Sequence, residues 1–174
     1  MKLLPGVNIK MKHILAILVE NKPGALTRIS GLFSRRGFNI DNIAVGETMT
    51  PGIARMTITV EGSDTIIEQV VKQLHKLVNV IKVSNLSNEP SVMRELMLLK
   101  VKAETGSRSD IQQIVETFRG KVVDVSPDSM IIEVTGNDDK LEAIKLLLEH
   151  FGIKEIVRTG KVALLRGSKI TREG

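Results

Sequence analysis

The chain has no cysteine, tryptophan or tyrosine, and its aromatic rings are four phenylalanines and three histidines. Without thiols there is no disulfide scaffold, structural zinc ribbon or thiol nucleophile, and a reducing, cytoplasmic setting is expected. Long apolar stretches are also missing. The opening "MKLLPGVNIKMKH" lacks the hydrophobic segment of a secretory leader, and the longest apolar run, Ile14 to Val19, is far below the roughly 18 residues of a membrane helix. A soluble, untargeted protein with no membrane role is expected. Met11 is as good a start as Met1, since "MKHILAILVEN" runs straight into the first strand. Residues 1–12 then read as an N-terminal extension.

Catalytic signatures are lacking too. His13, His75 and His150 fall in different elements, none in a metal-ligand spacing, so no metal is expected. GxSxG, P-loop and GxGxxG motifs do not occur, and the carboxylates of "NDDKLE" and "VETF" read as helix caps and solvated faces. The reading is of a non-catalytic chain with no catalytic residues and no cofactor of its own. Lysine and arginine outnumber acids 25 to 20. The excess is interspersed except in the tail "RTGKVALLRGSKITREG", which reads as a solvated end or a face for an acidic partner.

What is present is a repeated order of elements. Ile14 to Val19 has the length and continuity of a strand buried on both faces. Ala25, Ile29, Leu32, Phe33 and Arg36 then fall on one helical face, with Gly37 as a left-handed stop. "FNIDNIAVGE" and "IARMTITVE" form a hairpin around "TMTPG". "SDTIIEQVVKQLHKLV" is a helix with a Ser-Asp cap and a stripe of Ile67, Val70, Val71, Leu74 and Leu77, and "NVIKVSNL" returns as a strand.

After the break "SNEPSVM" the order recurs: strand "RELMLLKVKA", helix "SDIQQIVETFRG" with Ser109 and Gln112 spaced as a capping box and Gly120 as its stop, and strands "KVVDV" and "MIIEVTG". Helix "DDKLEAIKLLLEHFG" and strand-like "IKEIVRTGKVALLR" complete it. The fold class is α+β, two tandem ferredoxin-like βαββαβ domains. The boundaries are 13–86 for the first domain, 87–93 for a linker and 94–174 for the C-terminal domain. Each unit leaves a sheet face or edge uncovered, so a homodimer through the first domain is expected.

The βαββαβ order is shared with base-stacking RNA-binding domains. "IARMTITVE" and "MIIEVTG" carry no aromatic residue, so nucleic acid is not expected as a partner.

The turn "ENKPGAL" is the most informative stretch. Pro23 suits a helix start, and Gly24 lets a ligand approach the backbone. The N–H groups of Gly24, Ala25 and Leu26 would face out at the positive end of the helix, a place for a carboxylate. Asn21, with Asn39 or Asp41 after the helix, would accept from an ammonium. The same residues also read as an ordinary strand-to-helix turn capped by asparagine, and the residues alone leave both readings open.

The stretch from "HILAILVENKPGALTRISGLF" through "GFNIDNIAVGETMTPGIARMTITVEG" resembles the ACT domain of the regulatory (small) subunit of acetolactate synthase, or acetohydroxyacid synthase. The likeness continues through "QLHKLVNVIKV", "RELMLLKV", "FRGKVVDVSPDS" and "RTGKVALLRG". It implies a role in branched-chain amino-acid biosynthesis: this chain would bind and activate a catalytic subunit that carries thiamine diphosphate, magnesium and FAD. It would also confer feedback inhibition by L-valine. It implies an effector site between two ACT domains, with Asn21, Gly24, Ala25 and Leu26 from one chain and Asn39 and Ile40 from the other. Thr27, Asp41 and Gly46 lie nearby. The alternative is a free-standing ACT-repeat amino-acid sensor or transcriptional regulator, which would share fold and turn.

Overall fold

The computed structural model describes residues 11–171. Of these, the residues up to Val92 together with those from Ala163 onward form one compact unit, and Met93–Val162 form a second.

The first unit contains β1 (Met11–Glu20), α1 (Ala25–Arg35), β2 (Ile40–Glu47), β3 (Ile53–Gly62), α2 (Asp64–Leu74) and β4 (Val80–Asn85). Its antiparallel sheet has the order β2-β3-β1-β4. The expected extension falls mostly outside the described residues, but Met11 and Lys12 already belong to β1. Period-2 alternation sends Leu15, Ile17 and Val19 of β1 and Met56, Ile58 and Val60 of β3 into one core with Ile29 and Phe33 of α1 and Ile67 and Val70 of α2. Gly37 has φ +72°, the left-handed stop expected after α1.

The opposite sheet face is covered differently from expectation. Ile14 pairs with Thr59 and Ala16 with Thr57 across β1 and β3, and both threonines are buried. Ile14 and Ala16 pack with Leu86, Ala163 and Leu165. The tail from Ala163 therefore belongs with the first unit rather than with the second, where sequence order had put it. The Arg166 N–H donates to the Pro90 carbonyl at 2.8 Å, and the Arg55 guanidinium donates to the Ala163 carbonyl at 2.6 Å. Burying Ala163 and Leu165 on an apolar sheet face supplies the reason for the return.

The second unit takes β5 (Ser91–Lys102) from Met93 onward, α3 (Arg108–Thr117), β6 (Lys121–Ser126), β7 (Ser129–Gly136), α4 (Asp138–Glu149) and β8 (Ile153–Arg158), in the sheet order β6-β7-β5-β8. β5 begins inside the expected linker, and beyond Gly160, whose φ is +82°, the chain enters a short β9 (Val162–Leu165) that from Ala163 belongs with the first unit. Met97, Leu99, Ile132, Ile111, Ile144 and Leu148 form the core. Both units are ferredoxin-like, each with two helices on an antiparallel sheet.

Two local expectations fail in α3. Its N-cap is Ser107, whose side chain caps nothing, so Ser109 lies inside the helix and the Gln112 amide donates to Glu116 at 3.0 Å instead of closing a capping box. The left-handed residue after the helix is Arg119, φ +50°, and not Gly120. Gly120 is needed for closeness: a Cβ there would lie 3.1 Å from the Glu133 carbonyl oxygen and 3.2 Å from Val115 Cγ1. Because the nearer atom is backbone, Gly120→Ala is expected to destabilise the second unit by about 1–3 kcal/mol. Urea denaturation measures this, and unchanged stability would mean that the β6–β7 ladder yields freely.

Candidate functional site

The turn between β1 and α1 is built by main-chain bonds. Asn21 N–H donates to the Gly52 carbonyl at 2.8 Å, Lys22 N–H to Glu20 at 2.8 Å, and Ala25 N–H to Lys22 at 3.2 Å. Gly24 is the N-cap residue with φ +83°, and Pro23 therefore precedes the cap instead of occupying the first helical position. No side chain caps this helix, so Asn21 does not play the capping part that the alternative reading gave it.

Ala25 is spent on the turn and buried, a correction to its expected free N–H. The second and third helical residues, Leu26 and Thr27, keep theirs. No acceptor among the described residues meets them, as the first turn of a helix requires in the absence of a cap. Leu26 is exposed, and the space around the Gly24 α-carbon is open, with no atom within 4 Å of a built Cβ. The turn thus presents the Leu26 and Thr27 amides at the positive end of α1, an arrangement suited to a carboxylate.

Asn79, which the sequence did not single out, holds the base of this turn. Its carbonyl accepts from Glu20 N–H at 2.9 Å, its amide donates to Glu20 Oε2 at 3.0 Å, and its Oδ1 accepts from Arg28 of α1. Hydrogen bonds from Lys22 first, then from Asn79, hold the Glu20 carboxyl below its ordinary range. A buried asparagine before β4 carries no periodic or motif signal; only its partners reveal its part.

The asparagine end of β2 lies elsewhere. Ile40 pairs with Val60, which pairs with His13, whereas the turn follows Glu20, which pairs with Ile53. From His13 to Glu20 the strand covers about 24 Å at the usual rise of about 3.4 Å per residue. Within one chain, Asn39, Ile40 and Asp41 are therefore at the far end of the sheet from Asn21 and Gly24. Gly46 is level with the turn, because it pairs with Arg55, opposite Leu18. β2 is an outer strand of its sheet, with Asp41 in an irregular step of its pairing and Val45 exposed.

The corresponding join of the second unit is closed. Arg108, first residue of α3, donates to the carbonyls of Ser126 at 2.7 Å and Pro127 at 2.8 Å, so its guanidinium ties that helix start to the β6–β7 turn.

The histidines bring no metal chemistry together. His13 is buried with Nε2 against the Gly62 carbonyl at 3.1 Å, and His75 and His150 are exposed at helix ends. Among the described residues no group of three or more His, Cys, Asp or Glu could hold a metal ion. No described helix is long and apolar enough to cross a membrane.

Comparisons with known proteins agree over most of the chain. Residues 15–82 match the family model "AHAS small subunit-like ACT domain", and residues 94–167 match "Small subunit of acetolactate synthase". The chain is 56% identical over 158 residues to a probable acetolactate synthase small subunit of Methanothermobacter thermautotrophicus, covering 90% of this chain and 94% of the relative. It is 54% identical to the acetolactate synthase small subunit of Mycobacterium bovis, with the same coverage of 90% and 94%. The crystal structure of the acetolactate synthase small subunit from Thermotoga maritima superposes with a TM-score of 0.84 at 46% identity, covering 91% of this chain and 99% of that one. With an open, uncapped helix start in an ACT-type unit and relatives of this identity along nearly its whole length, the chain belongs to the acetolactate synthase small-subunit family.

Proposed function

We propose that this chain is the regulatory subunit that binds and activates a catalytic acetolactate synthase subunit, and that it reports L-valine at a site shared by two ACT units. The observation that carries the reading is the uncapped start of α1 beside Gly24, with the asparagine end of β2 about a sheet's length away. A single chain cannot close both halves on one amino acid. A two-fold dimer can: pairing the outer β2 strands antiparallel sets the partner's β2 start level with this chain's Gly46 and the turn after Glu20. The Leu26 and Thr27 amides then take the carboxylate, the partner's Asn39 accepts from the ammonium, and the partner's Ile40 walls the isopropyl group.

Such a ligand ties the relative orientation of two chains to its own occupancy. It alters the catalytic subunit only by binding one arrangement better than the other, and a coupling of about 1–3 kcal/mol suffices for ordinary feedback regulation. Thiamine diphosphate, magnesium and FAD belong in this scheme to the catalytic partner, and this chain does no chemistry by itself.

Isothermal titration with L-valine, with D-valine and L-glutamate as controls, tests the site. Stereospecific saturation near one valine per chain is expected, and Asn39→Ala should weaken it by about 1–3 kcal/mol, the usual cost of losing a hydrogen bond to a charged group. Unchanged affinity in that variant would remove Asn39 from the site.

A further inference from the structure

The helix-free face of the first sheet carries a concavity at the β2–β3 hairpin end, of about 700 Å³. Leu18 and Arg55, neighbours across β1 and β3, line it together with Met49 of the hairpin turn and Leu164 and Ile170 of the returning tail. Arg55 is the unusual group. It is partly buried, and among the described residues its guanidinium donates to the Ala163 carbonyl but meets no carboxylate within ion-pair distance. Burial pushes its pKa down, with no acidic neighbour opposing it. Glu47, on the same rim, makes no ion pair with it, and Lys169 is occupied by Glu89 at 2.8 Å.

A guanidinium has five N–H donors in a fork that fits a carboxylate, and withdrawing it from water without a counter-charge is costly. Around it Met49, Leu164 and Ile170 are 102%, 64% and 57% exposed, a spread of apolar side chains wider than a small acid would cover. Arginine and methionine among apolar neighbours are the composition of protein interface centres. A second copy of this chain is a poor occupant, because a two-fold contact here would bring Arg55 and the basic tail against their own like charges.

Resting on the regulatory reading above, we propose that this concavity is where the small subunit docks an acidic-aliphatic segment of its catalytic subunit. Arg55 takes the carboxylate, and Met49, Leu164 and Ile170 cover the neighbouring aliphatic side chain. The docking face is thereby on the side of the sheet away from the helices, and the tail, by lining it, links the end of the chain to subunit contact.

The test is activation of the catalytic subunit titrated with wild-type, Arg55→Met and Leu164→Ser small subunits, alongside valine titration and sedimentation of each free protein. Arg55→Met removes the charge and Leu164→Ser the apolar wall without touching the Arg55 to Ala163 bond. Each is expected to raise the concentration for half-maximal activation by about tenfold or more, with valine affinity and self-association unchanged. Wild-type activation curves from both variants would overturn the docking site alone. Altered self-association without altered activation would assign the face to a second copy and also overturn it. Binding of isobutyrate to the free small subunit that is lost in Arg55→Met, with activation intact, would assign it to a small acid. A wild-type chain that neither binds nor activates the catalytic subunit would remove the regulatory reading, and this inference with it.

Discussion

Gly24→Asp is expected to weaken valine binding by about a hundredfold or more, and to abolish feedback inhibition, while activation of the catalytic subunit persists. Gly24 is the N-cap of α1 at φ +83°, and open space surrounds its α-carbon. Any side chain there carries left-handed strain of about 1–2 kcal/mol. Aspartate partly offsets it, because its carboxylate can accept from the unmet Leu26 and Thr27 amides, as N-cap aspartates do. In doing so it takes the donors proposed for the ligand carboxylate and sets a like charge beside it. Losing charge-assisted bonds worth about 3 kcal/mol is a factor of about a hundred. Gly24→Ala serves as the control, since it carries the strain but not the charge and should keep most of the affinity. Titration calorimetry and inhibition assays on both variants read the difference. Loss of activation together with inhibition would mean that the turn supports the fold or the subunit contact instead.

The second large effect concerns stability. Arg158→Met is expected to destabilise the second unit by about 3 kcal/mol, the lower end of the cost of breaking a buried pair. Glu95 is only 6% exposed, and its carboxylate meets Arg158 Nη2 at 2.7 Å, its only ion pair among the described residues. The same guanidinium reaches Glu142 at 2.9 Å, while Lys161 meets Asp138 at 2.5 Å. Burial works against the Arg158 charge, yet the hydrogen bonds to Glu95 and Glu142 outweigh it and raise its pKa. Removing the arginine leaves Glu95 buried with its charge unmatched. The double variant Glu95→Leu with Arg158→Met should regain most of the loss, because neither charge is then withdrawn from water alone. Chemical denaturation of the three proteins decides. Equal losses in the single and double variants would show that the side chains matter here for packing, not for charge.

Much of the architecture follows from neighbours along the chain. The unbroken run Ile14 to Val19 announces a strand buried on both faces, and all six residues are buried. The spacing of Ile29, Leu32 and Phe33 announces the inner face of α1, and the glycine after "SRR" its left-handed end. Where a local rule met a long-range demand, it lost. Ser109 has the look of a cap, but the reach of Arg108 to the Ser126 and Pro127 carbonyls accompanies a helix that starts before it. Gly120 has the look of a left-handed stop, but the space it leaves is wanted by the Glu133 carbonyl.

By itself the sequence determined the order of elements, the doubling of the βαββαβ unit and the exposed glycine turn at the head of α1. These depend on side-chain periodicity and on the conformational range of single residues, which are properties of adjacent positions. Tertiary structure alone decided the strand order that puts β2 on the outside, the register that separates Asn39 from Gly24, the hold of Asn79 on the turn and the return of the tail over the sheet. Those outcomes depend on which distant surfaces bury one another best, and pairings of that kind leave no mark in the spacing of neighbouring residues.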